Sequence, residues 1–323
     1  MDTAVMVCGH GSRDGDAIVE FEQVAAGIRT RLPTAEVATG YLEFARPTIR
    51  DGLEQLKALG ARRILAVPGM LFAASHVKND LPWEINSFGA DNPAIEVRFG
   101  RELAIEPKLL RAAAERIAEA ERHASAPIPR ADTLLLVVGR GTNDPDANSN
   151  IAKLARMLWE GMGFGWAEAA FSGVAQPLVE PALRRALRLG FGRMVVFPYF
   201  LFTGVLVKRI YAAADHVAAD HPEIEILKAP YLSNHPLVID CFAERVGEAA
   251  DGEPAMNCRL CKYRAPMIGY ETDAGAPQAA HHHHVSGIGT DADRAHGHHH
   301  HHSNGHARGA HDHWPRPSNK AAG

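Results

Sequence analysis

The chain has 323 residues, of which 46% are hydrophobic and 22% are charged, and its formal net charge is −4. This composition is typical of a globular protein of about two domains, and the acidic balance argues against a nonspecific nucleic-acid-binding protein. No apolar run approaches the ~20 residues that span a bilayer, and the first residues lack the basic region of a signal peptide. We therefore expect a cytoplasmic protein that binds neither nucleic acid nor membrane. Its four cysteines are then not expected to form structural disulfides.

Apolar, strand-like runs alternate with amphipathic helical runs along the first part of the chain. This order predicts a parallel sheet with helices on both faces. A proline-rich run at residues 126–129 then predicts a linker. The predicted strands are residues 4–8, 37–42, 63–68 and 94–99, and the predicted helices are residues 17–32, 47–59, 78–87 and 106–123.

The pattern then repeats at an offset of 130 residues. Gly11 falls on Gly141, and other glycines and prolines match in the same way, which indicates the same backbone requirement at the same place. An internal repeat of this length predicts two copies of one domain. We expect two tandem flavodoxin-like α/β domains, residues 1–125 and 131–250, each a parallel sheet flanked by helices. Pseudo-twofold symmetry would then relate them across a cleft, which is a favoured ligand site.

Three positions with reactive side chains do not repeat, although the scaffold around them does. This pattern is expected if the first copy keeps a site and the second copy is only its wall. Ordinary drift after duplication is the alternative. The offset pairs His10 with Arg140, Glu43 with Gly173, and His76 with Leu206.

His10, Glu43 and His76 follow three successive predicted strands. In a doubly wound sheet the carboxyl ends of the strands lie at one edge, so these side chains are expected to converge. Two imidazoles and one carboxylate suit a divalent first-row metal, and three protein ligands leave open coordination positions. A hydrolytic metal site would contain the same residue types, and His10 alone could instead cap the helix that follows it.

These residues resemble those of a known family. The turn Val-Cys-Gly-His-Gly-Ser-Arg at residues 7–13, Glu43, and the Ser-His pair at residues 75–76 are similar to the sirohydrochlorin chelatases of the class II chelatase superfamily. A Met-x-Cys-x-x-Cys segment at residues 256–261 and a histidine-rich end are similar to the long-form cobaltochelatases of that family. The resemblance covers the chain to about residue 265 and, by composition, the tail.

Members of the family that this sequence resembles insert Co2+ into sirohydrochlorin on the anaerobic route to cobalamin, and related short forms insert iron for sirohaem. The resemblance therefore implies that His10, Glu43 and His76 bind the incoming metal and catalyse its insertion. A neutral imidazole also accepts the pyrrole protons that must leave the ring. The alternatives are a sirohydrochlorin ferrochelatase and a cobalt or nickel storage or chaperone protein on the same scaffold.

Sirohydrochlorin is an octacarboxylate, so its site should supply hydrogen-bond donors and positive charge. Arg140 is the strongest candidate, because it takes the place of His10 in the second copy. Each of the other candidates could equally be a solvated surface charge. The candidate substrate-binding residues are Ser12, Arg13, Arg46, Lys78, Arg140 and Lys208, with Arg209 beside the last of them.

The cysteines are of two kinds. Cys8 and Cys241 lie in apolar runs and are predicted to be core residues. Cys258 and Cys261 lie in a separate segment, residues 251–271, and a lone C-x-x-C is compatible with half a zinc site, a redox pair or half an iron–sulfur site. The resemblance implies a [4Fe–4S] cluster, whose remaining ligands would come from a second subunit of a homodimer or from other groups.

Residues 272–323 are poor in large apolar side chains and are predicted to form a disordered tail. Histidine clusters bind cobalt, nickel, zinc and copper, which predicts a metal reservoir or delivery arm. A purification tag is the alternative. The clusters consist of His281, His282, His283, His284, His298, His299, His300, His301 and His302.

Overall fold

The computed structural model describes residues 2–252, 268–269, 271–273 and 275–277. Cys258, Cys261 and the histidine clusters of the tail lie outside these residues. Within the described part of the chain, no helix has both the length and the apolar character needed to cross a membrane.

The first copy forms a four-stranded parallel sheet with helices on both faces. Its elements are β1 (Thr3–Gly9), α1 (Gly15–Arg31), β2 (Glu36–Tyr41), α2 (Ile49–Ala58), β3 (Arg63–Pro68), α3 (Leu81–Asp91), β4 (Glu96–Phe99) and α4 (Pro107–Glu121). The strand order is β2-β1-β3-β4. In the central strand β1, Cys8 lies between Gly40 and Pro68 of the neighbouring strands.

The second copy repeats this sheet. Its elements are β5 (Thr133–Gly139), α5 (Pro145–Met162), β6 (Trp166–Phe171), α6 (Val179–Ala186), β7 (Arg193–Pro198), α7 (Val205–Asp220), β8 (Glu225–Lys228) and α8 (Pro236–Asp251). The strand order is β6-β5-β7-β8. Val138 lies between Ala170 and Pro198, each 130 residues after its counterpart in the first sheet. The predicted α/β class and its repeated parallel sheet are confirmed.

The helix predicted at residues 78–87 begins earlier and ends later. A single π-helical turn, His76–Asp80, leads directly into α3, and Pro82 lies in the first turn of α3. Proline is tolerated there because the first N–H groups of a helix have no intrahelical partner. The earlier start makes His76 part of a helical turn, which matters for the site.

The last helix of each copy packs on the sheet of the other copy. α8 lies against β3 and β4, and α4 lies against β7 and β8. The buried guanidinium of Arg245, on α8, donates to the carbonyl oxygens of Glu102 and Leu103 at 3.1 and 2.8 Å. One apolar core therefore contains residues of both copies, and both sheets belong to one compact unit. The domain boundaries at residues 125 and 131 stay a prediction. Residues on both sides of these boundaries contribute to the shared core.

Candidate active site

A cavity of about 410 Å³ lies between the two copies. The segments that follow β1, β3, β5 and β7 line it, which is where ligands bind in open α/β sheets. Many of the lining side chains are apolar, and aromatic rings among them contribute flat faces. The aromatic lining residues are Phe21, Tyr41, Phe44, Phe72, Phe171, Tyr199, Phe200 and Phe202.

The turn after β1 is held tightly against the segment that follows β2. Gly11 has a φ of +89°, and a Cβ at this position would lie 1.7 Å from the backbone oxygen of Glu43, so only glycine fits. The Glu43 N–H donates to the backbone oxygen of His10 at 2.9 Å. These two contacts fix the backbone of His10 at the cavity.

The imidazole of His10 has one nitrogen bonded and one nitrogen available. Its Nδ1 lies 3.1 Å from the oxygen of Gly11. Because a carbonyl oxygen only accepts, Nδ1 carries the hydrogen and Nε2 the lone pair. Nε2 is buried and has no hydrogen-bond partner among the described residues. Burial, and then the charge of His76, lower the pKa of His10 from 6.5 to about 4. His10 is therefore neutral at neutral pH, which is the form that binds a metal.

His76 lies beside His10, with the ring centroids 4.8 Å apart and the ring planes at 78°. Both residues line the cavity. Nδ1 of His76 lies 2.6 Å from Oδ2 of Asp80, a carboxylate that the sequence analysis missed. The signal for it is the i, i+4 spacing, which is visible only if the helical turn begins at His76 and not at residue 78. The structure thus brings the two predicted histidines together and adds a carboxylate behind one of them.

Glu43 is near His10 but is not among the described residues that line the cavity. It is buried, and its charge raises the pKa of His10 against the larger effect of burial. Within the described residues, no group of three or more His, Cys, Asp or Glu side chains is arranged to hold a metal ion. Of the three predicted metal ligands, His10 and His76 therefore line the described cavity, and metal binding by all three stays a prediction.

Three of the predicted substrate-binding residues line the cavity: Ser12, Arg13 and Arg140. The guanidinium of Arg13 lies over the ring of Phe44, 4.9 Å from its centroid, as in a cation–π contact. Arg140 is on the wall formed by the second copy, and its charge contributes to the lowered pKa of His10. The cavity therefore has positive charge on both of its walls.

The two predicted substrate lysines have other partners. Nζ of Lys78, which is buried, donates to Asp144 at 2.7 Å, and Nζ of Lys208 donates to Asp14 at 2.7 Å. Each aspartate is the N-cap of the first helix of the other copy. The lysines thus join the two copies at equivalent places, and their positions give the substrate-binding prediction no support. Outside the described lining lie Arg46, Lys78, Lys208 and Arg209.

Cys8 and Cys241 are buried free thiols, as predicted. Burial raises the pKa of both thiols, that of Cys241 to about 11, so neither is a ready thiolate ligand. They lie in different elements, β1 and α8. Cys258 and Cys261 lie outside the described residues, and the iron–sulfur cluster stays a prediction.

Comparison with protein families gives the chain two matches to one family. The CbiX family model matches residues 4–120 and 134–249, one match for each copy. The chain belongs to the CbiX family. Each match covers one sheet with its helices, so the family model corresponds to one copy of the internal repeat.

Relatives of this CbiX-family chain are named as chelatases. The chain is 34% identical over 265 residues to the sirohydrochlorin cobaltochelatase of Priestia megaterium, which covers 82% of this chain and 86% of that protein. It is 32% identical over 241 residues to the sirohydrochlorin ferrochelatase of the same species, which covers 73% of this chain and 85% of that protein. The family resemblance that the sequence predicted is confirmed.

Two solved structures share the fold of this CbiX-family chain. SirB from Bacillus subtilis with Fe3+ superposes with a TM-score of 0.68 at 27% identity, covering 78% of this chain and 96% of that chain. SirB from Bacillus subtilis subspecies spizizenii in complex with cobalt superposes with a TM-score of 0.65 at the same identity and coverage. The match spans nearly all of SirB, so the similarity includes both copies.

Proposed function

We propose that this protein is a sirohydrochlorin cobaltochelatase, an enzyme that inserts Co2+ into the octacarboxylate sirohydrochlorin for anaerobic cobalamin synthesis. The observation that carries the proposal is the pair of imidazoles of His10 and His76, 4.8 Å apart, at an aromatic cavity of a CbiX-family chain. The 34% identity to a protein named as a cobaltochelatase supports cobalt as the metal. Cobalt is a substrate in this reaction and not a resident cofactor.

Metal insertion replaces two pyrrole N–H protons by one divalent cation. His10 offers the lone pair of Nε2 to the incoming metal, and the two pyrrole protons pass to solvent, with a neutral imidazole of the site as the relay. A sparse set of two imidazoles leaves coordination positions for the ring nitrogens, so the metal can be passed on and not trapped. Glu43 assists through its negative charge, because the potential that raises the pKa of His10 also attracts a cation.

The cavity suits a flat polyanionic ring. Aromatic faces such as that of Phe72 pack against the macrocycle, and Arg13 and Arg140 on the two walls bind its carboxylates. Ser12 accepts a hydrogen bond from the Asp14 N–H at 3.0 Å, which leaves its hydroxyl hydrogen to donate. Positive charge and apolar surface are therefore present where such a substrate would lie.

The test is an absorbance assay of sirohydrochlorin with Co2+, Fe2+ and Ni2+ supplied separately. We expect wild-type protein to form the cobalt product fastest, and we expect His10→Ala and His76→Ala to abolish insertion while the protein stays folded. His216→Ala, an exposed histidine on α7, is the control and should keep the wild-type rate. A near-wild-type rate in either site variant would contradict the assignment.

A sirohydrochlorin ferrochelatase is the second candidate. The chain is 32% identical to a protein with that name, and imidazole and carboxylate ligands bind Fe2+ as well as Co2+. Faster product formation with Fe2+ than with Co2+ would decide in its favour. Metal uptake without any change in the tetrapyrrole would instead indicate a storage or chaperone protein.

Two further parts of the proposal concern segments outside the described residues. Cys258 and Cys261 would hold a [4Fe–4S] cluster completed in a homodimer or by other ligands, and a lack of iron and sulfide in anaerobically purified protein would exclude it. Residues 272–323 would deliver cobalt. Deleting them should then lower the rate at scarce Co2+ but not at excess Co2+, and equal rates in both regimes would remove the delivery role.

A further inference from the structure

Asp80 is a buried carboxylate in contact with His76. The residue is 4% exposed, and burial of a carboxylate is costly unless its oxygens are hydrogen-bonded. Oδ2 accepts from Nδ1 of His76 at 2.6 Å, and Oδ1 accepts from Nδ2 of Asn79 at 2.6 Å. The aspartate is therefore held between the imidazole and a neighbouring amide.

The second copy is an internal control for this position. At the offset of 130 residues, His76 corresponds to Leu206, and Asp80 corresponds to the buried Ile210. The valine and the lysine that follow the histidine position are the same in both copies. The scaffold thus accepts an apolar side chain at both positions. The aspartate is present only where the histidine is present, which indicates that it serves the histidine and not the helix.

We propose that Asp80 is a positioning residue, which orients the imidazole of His76 for the incoming metal. This inference rests on the proposed chelatase function. Because a carboxylate only accepts hydrogen bonds, the contact keeps the hydrogen on Nδ1 and the lone pair on Nε2. Carboxylates that bond to metal-binding histidines set the ring orientation in this way, and their removal typically weakens metal binding by about 10–100-fold.

The two imidazoles of the site are held by unlike acceptors. His10 donates to the neutral backbone oxygen of Gly11 at 3.1 Å, whereas His76 bonds to the carboxylate of Asp80 at 2.6 Å. Charge-assisted hydrogen bonds are shorter and stronger than neutral ones, so His76 is the more firmly oriented of the pair. Loss of its acceptor should therefore loosen the orientation of His76 and weaken metal binding.

The experiment compares Asp80→Asn and Asp80→Ile with a matched control. Asp80→Ile copies the residue of the second copy, so the scaffold is expected to tolerate it. The control is Glu115→Gln, because Glu115 bonds to a histidine, His235, at 3.1 Å away from the cavity. The measurements are the Co2+ affinity of the full-length protein without tetrapyrrole, the KM for Co2+, the KM for sirohydrochlorin, and the Tm.

Both Asp80 variants should bind Co2+ about 10–100-fold more weakly, with a raised KM for Co2+ and an unchanged KM for sirohydrochlorin. Glu115→Gln should change none of the three. In a His76→Ala background, Asp80→Asn should cause no further loss of Co2+ affinity, because the aspartate acts through that imidazole.

Three results would overturn the inference. The first is wild-type Co2+ affinity in the Asp80 variants. The second is that Asp80→Asn lowers the Co2+ affinity as much in the His76→Ala background as it does in the wild-type protein. The third is a parallel loss for both substrates together with a lowered Tm, because that pattern belongs to a purely structural residue. If wild-type protein inserts no metal at all, the proposed function fails, and this result is distinct from the other three.

Discussion

Lys78 and Lys208 occupy equivalent places in the two copies, and replacing each with methionine is predicted to have very different effects on stability. The side chain of Lys78 is 0% exposed, and its Nζ lies 2.7 Å from Asp144 and 3.2 Å from Asp146. The side chain of Lys208 is 57% exposed, and its Nζ lies 2.7 Å from Asp14. Methionine keeps most of the apolar chain and removes the charge, so each variant tests the ion pairs of one lysine, which for Lys208 include a contact with Asp16 at 3.5 Å.

The expected loss of unfolding free energy follows from the burial of each pair. Removing one partner of a buried ion pair costs about 3–5 kcal/mol, because it leaves an uncompensated charge, whereas an exposed pair contributes about 0–1 kcal/mol. In a folded unit of 150–250 residues, which is about the size of the described residues 2–252, about 1 kcal/mol lowers the Tm by roughly 2–4 °C. Lys78→Met should therefore lower the Tm by roughly 6–20 °C, and Lys208→Met by less than about 4 °C.

Thermal unfolding followed by circular dichroism, at low and at high salt, measures both losses. Salt screens an exposed ion pair much more than a buried one. High salt should therefore reduce the loss of Tm caused by Lys208→Met and leave the loss caused by Lys78→Met unchanged. Adding Asp144→Asn to Lys78→Met should restore part of the stability, because asparagine removes the unpaired charge and still caps α5. Equal losses in the two lysine variants, or no recovery in the double variant, would refute the reasoning.

Three further predictions concern the cavity and its turn. Acidification from pH 6.5 to 4 should destabilise the metal-free protein, because the pKa of His10 is lowered to about 4 and the unfolded state then binds more protons. Urea unfolding should show that the free energy of unfolding falls less between these two pH values in His10→Gln than in the wild-type protein. An equal fall in both proteins would contradict this prediction. Gly11→Ala should lower the free energy of unfolding more than Gly60→Ala does. Gly60→Ala is expected to cost only backbone strain, about 1–2 kcal/mol. Both glycines have φ above +80°, but a Cβ at Gly60 meets no described atom within 4 Å. Equal urea midpoints for the two variants would contradict this prediction. Arg140→Ala should raise the KM for sirohydrochlorin about tenfold or more and spare that for Co2+. An unchanged KM for sirohydrochlorin would remove Arg140 from the substrate site.

The fold could be predicted where it depends on local pattern. β1 is an apolar run whose residues are buried on both faces of the sheet, as in a central parallel strand. The repeat supplied the second sheet, because the offset that aligns Gly11 with Gly141 also aligns the strand pairs. His10 and His76 could be paired from sequence because each follows a strand, and parallel strands end at one edge.

Long-range packing could not be predicted in the same way. α4 and α8 each have an apolar face that would fit either sheet, and the pattern does not say which sheet it covers. Lys78 and Lys208 were expected in the substrate site because a cation complements carboxylates. Their partners lie 66 and 194 residues away along the chain, so no local signal connects them. Asp80 was missed for a local reason, since the helical turn begins two residues before the predicted helix.

The two walls of the cavity differ at one pair of equivalent positions, although the turn that contains each of them is kept. Gly11 and Gly141 are both kept, because a Cβ at either turn would lie within 2 Å of a backbone oxygen, at 1.7 and 1.9 Å. With the backbone kept, a change of the preceding side chain places an imidazole, His10, on one wall and a guanidinium, Arg140, on the other. The charge of Arg140 helps to lower the pKa of His10. The positive charge of Arg140 also favours a carboxylate beside it. On the proposed function, this single difference would provide a metal ligand, His10, on one wall and a carboxylate-binding group, Arg140, on the other.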